Sequence, residues 1–450
     1  MELFDQANAL HESGRYAEAE QCYDLLLAQN PDNPGLLATV GTLNLRMGRY
    51  GLAISLLHRA AEKLPQSDVL CNLAVGYKYS GQYDKAHEWF RKATEVDPTA
   101  DALANYSALF VNVGTPEEAI KQAKRALDLD SQCAMAHWNT AIAQLELSMW
   151  ETAWDEHEWG FKSKMRIDRK IANKPYWDGT PGKTVAVYGE QGLGDEIMFA
   201  SMLPDMMREN KVIYESHPRL KTLFEKSFPG LEIHGTREQK EADWHNARDI
   251  DYQCSIGSLG RWYRRSKESF PGTAYLKAES APMGNKFRVG ISWTGGMKEG
   301  RVRTRSIPLS WWKTVLNNDC EFISLQYTDC ADELAVLSSK GYDIAQFPEI
   351  TDKDSDYYET AKLVRSCDLV ISVCTSVIHL AGALGVPCWV MVPKRAAWRY
   401  GVAGPMRWYR SVRLYRQPNA DQAAWVPVVQ KVGLDLEDLL RTNERKVAYG

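Results

Sequence analysis

The sequence predicts an α-helical solenoid followed by an α/β region built of two parallel sheets. Three observations predict it: a self-similar period through residues 1–165, a change near Lys183 to short β-branched runs alternating with amphipathic segments, and opposite charge balances on the two sides. Residues 1–165 carry 14 basic and 23 acidic side chains (net −9) and the rest carry 40 and 35 (net +5), which sums to the −4 of the 450-residue chain. At about 100 to 200 residues per domain, the length allows two to four domains, each with its own core.

The period is carried by GRYAEA from Gly14, GRYGLA from Gly48, GQYDKA from Gly81, GTPEEA from Gly114 and SMWETA from Ser148, at intervals of 34, 33, 33 and 34 residues. Such a period means stacked units, each unable to bury its apolar face alone. Five residues after each of these starts stands a small residue (Ala19, Ala53, Ala86, Ala119, Ala153) that lets two helices approach. A larger one four further on (Tyr23, Leu57, Phe90) fills the groove, and Pro31, Pro65 and Pro98 stop the second helix. This pattern resembles the tetratricopeptide repeat. The fourth unit departs from it at Ala123 and Ser131, the fifth at Ser148 and His157. The resemblance implies an interaction scaffold and leaves the partner open.

From Lys183 the runs TVAVYG, KVIYES and LEIHG form one set, and RVGISW, CEFISLQ, YDIAQF, DLVISVC and PCWVMVP a second, parted by Ser269–Lys286 with its Pro and Gly residues. This predicts two Rossmann-like domains facing a cleft, with chemistry in the loops at strand carboxyl ends. The aromatics of the join, Trp154, Trp159, Phe161 and Trp177, read as packing rather than as a ligand box.

Three loops stand out. After TVAVYG, the loop Glu190, Gln191, Gly192, Leu193, Gly194 leads into a helix beginning near Asp195, a residue that is either an N-cap or a carboxylate facing substrate. Its glycines do not follow the dinucleotide GxGxxG spacing. After RVGISW come Trp293, Gly295, Gly296, then Lys298, Arg301, Arg303 and Arg305, and a helix expected to start between Ser306 and Leu309; cations and helix N–H groups together suit a diphosphate. After DLVISV come Cys374, Thr375, Ser376 and His379, with Thr375 and Ser376 able to cap the next helix. From Leu369 to Ala420 there is no acid and there are seven Lys or Arg, which indicates a local positive field suited to a small polyanion.

The net charge argues against a long nucleic acid as partner. No run of 18 uncharged apolar residues or secretory leader is evident, so a cytoplasmic protein without a membrane span is expected. Nine Cys without a CxxC pair point to reduced core residues. The triplets Asp249–Asp251 and Asp354–Asp356 precede predicted strands or helices and are not expected at a donor site; no metal is expected.

PYWDGT, GEQGLGDEIMFASML, DYQCSIGSLG, GISWTGG, RSIPLSWW, ISLQ, DLVISVCTSVIHLAGALGVPCWVMV and RLYRQ, in this order over about residues 176–440, are similar to glycosyltransferase family nine, the heptosyltransferase-like group, in the branch where tetratricopeptide repeats come first. The resemblance implies a GT-B fold: repeats over 1–165, an acceptor-side domain over 176–280 and a nucleotide-sugar donor domain over 285–450. It implies inverting, metal-independent transfer from a nucleotide diphosphate sugar, a substrate rather than a cofactor, to a hydroxyl of a protein or glycan that the repeats recruit. Asp195 matches the family's proposed general base and Arg305 the residue that grips the diphosphate. Trp293, Lys298, Ser306, Cys374, Thr375, Ser376 and His379 fall in donor-site motifs, and Glu190, Gln191, Gly192 and Gly194 in the loop near the acceptor. Where the family usually has Asp, this chain has Cys374, which bears on the sugar bound and on whether transfer occurs. The alternative is a degenerate transferase serving as a repeat-based scaffold.

Overall fold

The computed structural model describes residues 2–171, 173–239, 243–280, 286–295, 304–352 and 354–442. The chain forms two compact units, one of residues 1–144 and 156–163, the other of residues 145–155 and 164–450.

The first unit is a succession of antiparallel helix pairs, among them Pro34–Arg46 with Tyr50–Lys63, Ser67–Tyr79 with Tyr83–Val96, and Ala100–Val113 with Pro116–Leu129. Asn33 starts one of these helices by accepting from Leu36 N at 3.0 Å ahead of Pro34, and Thr99 starts another through Ala102 N at 3.2 Å. Between the paired helices Gly14, Gly48, Gly81 and Gly114 take φ of 79°, 75°, 80° and 77°, which explains the repeating Gly. Ala19, Ala53, Ala86 and Ala119 are fully buried, and Tyr23, Leu57 and Phe90 fill the space beside them. A Cβ on Gly41 would lie 2.6 Å from Leu57 Cγ, so close helix approach depends on these small residues.

The second unit contains two sheets, all of whose strands are parallel. The first has the order β3-β2-β1-β4, with β1 Thr184–Tyr188, β2 Lys211–Glu215, β3 Glu232–His234 and β4 Tyr252–Ser255. The second has the order β10-β9-β8-β5-β6-β7, with β5 Arg288–Ser292, β6 Glu321–Ser324, β7 Ile344–Ala345, β8 Leu369–Val373, β9 Cys388–Val392 and β10 Val412–Arg416. The strand order reverses between β1 and β4 in one sheet and between β5 and β8 in the other, and the carboxyl ends at such reversals are where open parallel sheets bind ligands. Strands β8 and β9 are buried at every position, as strands covered on both faces must be.

The repeat pattern assigned residues 145–155 to the solenoid, whereas they pack in the second unit. Trp154 is fully buried there, its Nε1 donates to Arg264 O at 2.7 Å, and a Cβ on Gly260 would meet its ring at 2.5 Å. Trp159 instead stacks on His137 at 3.9 Å in the first unit. All nine Cys are free thiols. Among the described residues no helix is long and apolar enough to cross a membrane.

Candidate functional site

A cleft of about 800 Å³ lies between the carboxyl ends of the two sheets. One side is supplied by the loop after β1 and the segment after β2, the other by Arg305, Tyr327, Tyr357, Cys374–Val377, His379, Arg399 and Tyr400.

The loop after β1 is held from below. Glu196 is fully buried; its Oε1 accepts from Tyr214 Oη and His217 N, each at 2.9 Å, and its Oε2 from Arg237 Nη1 at 2.6 Å. Arg237 Nη1 also donates to Gln191 O at 2.6 Å. Burial raises the Glu196 pKa, while Arg237 and these hydrogen bonds oppose the rise. Glu190 is buried with Arg166, whose Nη2 reaches Glu190 Oε1 at 3.0 Å and Ser255 Oγ at 2.7 Å, tying the loop after β1 to the end of β4. Adjacent helical positions point about 100° apart. With Glu196 directed into the core, Asp195 in the first turn of Leu193–Ala200 therefore faces the cleft.

Asp195 pairs with Arg399, which comes from the 3-10 turn Trp398–Tyr400 after β9. Burial works against the Arg399 cation, but the Asp195 carboxylate holds its pKa above the usual value. Gly194 allows the two sides to meet: a Cβ there would lie 3.0 Å from His379 Cδ2 and 3.2 Å from Ser376 Cα. Ser376 Oγ is hydrogen-bonded to Tyr357 Oη at 3.0 Å, and Thr375 occupies the N-cap position of Ser376–Leu384 without a side-chain cap bond. Burial, with Arg399 nearby, pushes the His379 pKa well below its ordinary value, so a neutral imidazole contacts Tyr409 Oη at 3.2 Å through Nδ1.

Burial raises the Cys374 thiol to about 11 although Arg305, Arg399 and Arg416 oppose the rise, so a neutral group stands where a carboxylate would compensate those cations. Arg416 donates to carbonyls, Tyr400 O at 2.6 Å and Gly401 O at 3.0 Å among them. Arg305 makes no ion pair among the described residues.

The cleft thus gathers Gly194, Asp195, Arg305, Cys374, Thr375, Ser376 and His379, while other expected residues lie elsewhere. Trp293 belongs to the core of the second sheet and donates from Nε1 to Glu333 Oε2 at 2.7 Å. With Ser306 it borders a separate hollow of about 420 Å³. Glu190, Gln191 and Gly192 support the cleft without lining it. Lys298, with Arg301 and Arg303, falls outside the described residues. The helix expected from Ser306–Leu309 is only a 3-10 turn, Leu309–Trp311, and the short Lys313–Leu316; Leu309 N is already satisfied by Glu333 Oε1 at 3.1 Å, so that N–H is not free for an anion.

The triplet Asp354–Asp356 corrects another expectation. It does precede a helix, Tyr357–Arg365, but the amino end of that helix faces the cleft, and Asp354 and Asp356 line it. Both Asp356 oxygens are engaged, by Tyr358 N at 2.9 Å and Thr222 Oγ1 at 2.6 Å. Among the described residues no group of three His, Cys, Asp or Glu side chains is placed to hold a metal ion. His217, Arg219, Tyr327, Tyr357 and Arg399 are lining residues that sequence reasoning did not single out; for Arg399 the acid-free run was the available signal.

The protein is a helical-repeat solenoid followed by a parallel-sheet α/β region. The tetratricopeptide repeat family matches residues 1–33 and 67–100, and the amino-terminal region consists of such repeats. Over 500 aligned positions the chain is 27% identical to Protein FlbA of Caulobacter vibrioides, covering 96% of this chain and 83% of that protein. Solved structures similar to part of the chain include the tetratricopeptide protein TTC0263 of Thermus thermophilus (18% identical, TM-score 0.33, 36% of this chain and 89% of that one). YrrB, described as a tetratricopeptide protein with an unusual peptide-binding site, is 19% identical with a TM-score of 0.30 over 36% of this chain and 90% of its own.

Proposed function

We propose that the protein is an inverting, metal-independent glycosyltransferase of GT-B type, with two Rossmann-like domains, moving a sugar from a nucleotide diphosphate donor to a hydroxyl acceptor that the repeats recruit. The observation that carries this reading is the convergence of the Asp195 carboxylate with Arg305 and Arg399 in a cleft at the strand-order reversals of both sheets. Asp195 takes the proton of the acceptor hydroxyl as its oxygen bonds to the anomeric carbon from the face opposite the donor phosphate. The bond from that carbon to the diphosphate oxygen breaks, and the negative charge gained there is met by Arg305 and Arg399. Cys374, being neutral, does not compensate the Arg305 cation.

Full-length protein incubated with a panel of nucleotide sugars should release nucleotide diphosphate or transfer sugar at a rate unaffected by EDTA. Asp195→Asn should lower that rate about 10²-fold or more. Undiminished turnover in the folded variant would remove Asp195 as base, and loss of activity in EDTA would remove metal independence.

Two observations favour a second reading, a scaffold that has lost transfer: Asp195 is already engaged by Arg399, and Cys374 replaces a carboxylate. That reading expects no nucleotide sugar to raise the melting temperature, whereas a bound donor at 100 times its Kd adds about 2.7 kcal/mol.

A further inference from the structure

A base must offer a lone pair to the proton it takes, and the Asp195 carboxylate already has one engaged: Asp195 Oδ1 accepts from Arg399 Nη2. The two side chains come from different sheets, Asp195 from the first turn of Leu193–Ala200 after β1 and Arg399 from the 3-10 turn Trp398–Tyr400 after β9. Both line the cleft and keep part of their side chains accessible, 20% for Asp195 and 15% for Arg399. A ligand in the cleft can therefore reach either partner of the pair.

Arg399 has donors to spare. A guanidinium presents several N–H groups in a planar fork, and among the described residues Asp195 is the only hydrogen-bond partner of this one, whose Cζ lies 5.6 Å from the Trp398 ring centre. Its Nε is closed off from solvent, whereas Nη1, which makes no hydrogen bond either, is not. Arg305 makes no ion pair among the described residues, and its charge and that of Arg399 act on the same two groups, the Cys374 thiol and the Tyr400 phenol. Two cations thus converge beside neutral groups. The partner that satisfies both carries more than one negative charge, and a phosphate accepts from Arg in the same forked geometry as a carboxylate does.

We propose that the Asp195–Arg399 pair is a latch released by the donor: a bound diphosphate takes over the Arg399 guanidinium and thereby frees the Asp195 carboxylate for the acceptor hydroxyl. The inference rests on the transferase reading. No proton and no covalent bond moves in the exchange; an N–H···O bond passes from Asp195 Oδ1 to a phosphate oxygen. Separating the pair without that replacement would leave a carboxylate and a largely buried guanidinium uncompensated, which is costly. With it, Arg399 stays paired throughout. The base becomes available only once the diphosphate is in place, so binding is ordered, donor before acceptor. Engagement of Asp195 by Arg399 is then the resting state of an active site and not a mark of lost transfer.

The test is calorimetric titration of the full-length protein with ADP, UDP, GDP and CDP, and with pyrophosphate as a probe that lacks the nucleoside. Asp195 competes with a bound diphosphate for Arg399, so Asp195→Asn should tighten binding by about tenfold, the worth of one charge-assisted hydrogen bond. Asp195→Ser, a second neutral variant, should do the same. Arg399→Gln should weaken the diphosphate by about tenfold or more, and in that background Asp195→Asn should no longer tighten it. Plain repulsion between carboxylate and phosphate would instead tighten binding equally in both backgrounds, which separates an exchange of partners from the mere removal of a charge. Unchanged affinity in the neutral variants, or an equal gain with and without Arg399, would overturn the latch and leave the donor site standing. Failure of every diphosphate to bind the parent protein would overturn the transferase reading and the latch with it.

Discussion

In the repeats charged side chains pair at the surface, as Arg15 with Glu18, Arg91 with Glu95, and Lys124 with Asp128 do, each partner more than half exposed. In the α/β unit they pair inside: Arg166 with Glu190 at zero exposure for both, Arg237 with Glu196, and Arg264 with Asp205. Exposed pairs contribute little, and a buried pair is often no more stabilising than apolar residues of the same volume. Density of buried ion pairs is therefore poor evidence of added stability. Its location is informative, because the Arg166 and Arg237 pairs hold the loop that aims Asp195 into the cleft. The repeats obtain their shape from small and aromatic residues; the α/β unit fixes its loops with charge.

The largest effect that would sharpen this contrast is expected for Glu190→Ala. It strands the Arg166 guanidinium in the interior and should cost about 3–5 kcal/mol, read from the denaturant midpoint of the α/β unit. Arg15→Ala should leave the midpoint where it was. Equal effects of the two substitutions would show that burial does not separate the two regions energetically.

Lys78 is the exception within the repeats and offers a way to break the comparison. It is 6% exposed, its ammonium lies 4.8 Å from the Tyr79 ring centre, and burial lowers its pKa from 10.5 to about 8. Between these values the unfolded chain binds the proton and the folded chain does not, so stability rises with pH from about 8 to 10.5. At pH 7 both states are protonated and the folded state carries the penalty, of the order of 3 kcal/mol. Lys78→Met should therefore raise the midpoint at pH 7 and lose that advantage near pH 10.5, as followed by denaturation across the pH series. A gain that did not vary with pH would mean that packing, not charge, is what the substitution changes.

How much of each region can be read in the sequence follows from the same contrast. Repeat contacts are local and periodic, so Ala53, Leu57 and the Gly81 turn announce themselves through spacing. In the α/β unit the alternation gave eight strands, but β4 and β10, no shorter than strands it found, were visible only as motif fragments, DYQCSIGSLG and RLYRQ. Asp195, Arg305 and His379 were legible because they stand in the segments that follow β1, β5 and β8. Other lining residues were not: Arg399, the partner of Asp195, lies 204 positions from it, and Arg219 comes from a helical segment after β2. Trp293 misled because a residue at the end of a strand can still turn inward, as its bond to Glu333 requires. Asp354–Asp356 misled because preceding a helix says nothing about where the amino end of that helix points.

The smallest expected effect concerns the turn at which the periodic pattern fails. Ser148 stands where the other units have Gly, yet the backbone keeps the same course, with φ of 64° and a bond from Ser148 N to Leu145 O at 3.1 Å that repeats the one from Gly81 N to Lys78 O at 3.2 Å. A side chain in this left-handed conformation costs roughly 1–2 kcal/mol, partly offset because Gly loses more backbone freedom on folding. Ser148→Gly should thus stabilise by a few tenths to about 1 kcal/mol. The reverse experiment is Gly81→Ala, where a Cβ would meet nothing within 4 Å, so that the loss of about 1 kcal/mol is backbone strain alone. If Ser148→Gly is destabilising while Gly81→Ala behaves as expected, the Ser148 side chain contributes contacts of its own. The fifth turn would then owe its form to packing in the α/β unit and not to the repeat geometry it continues.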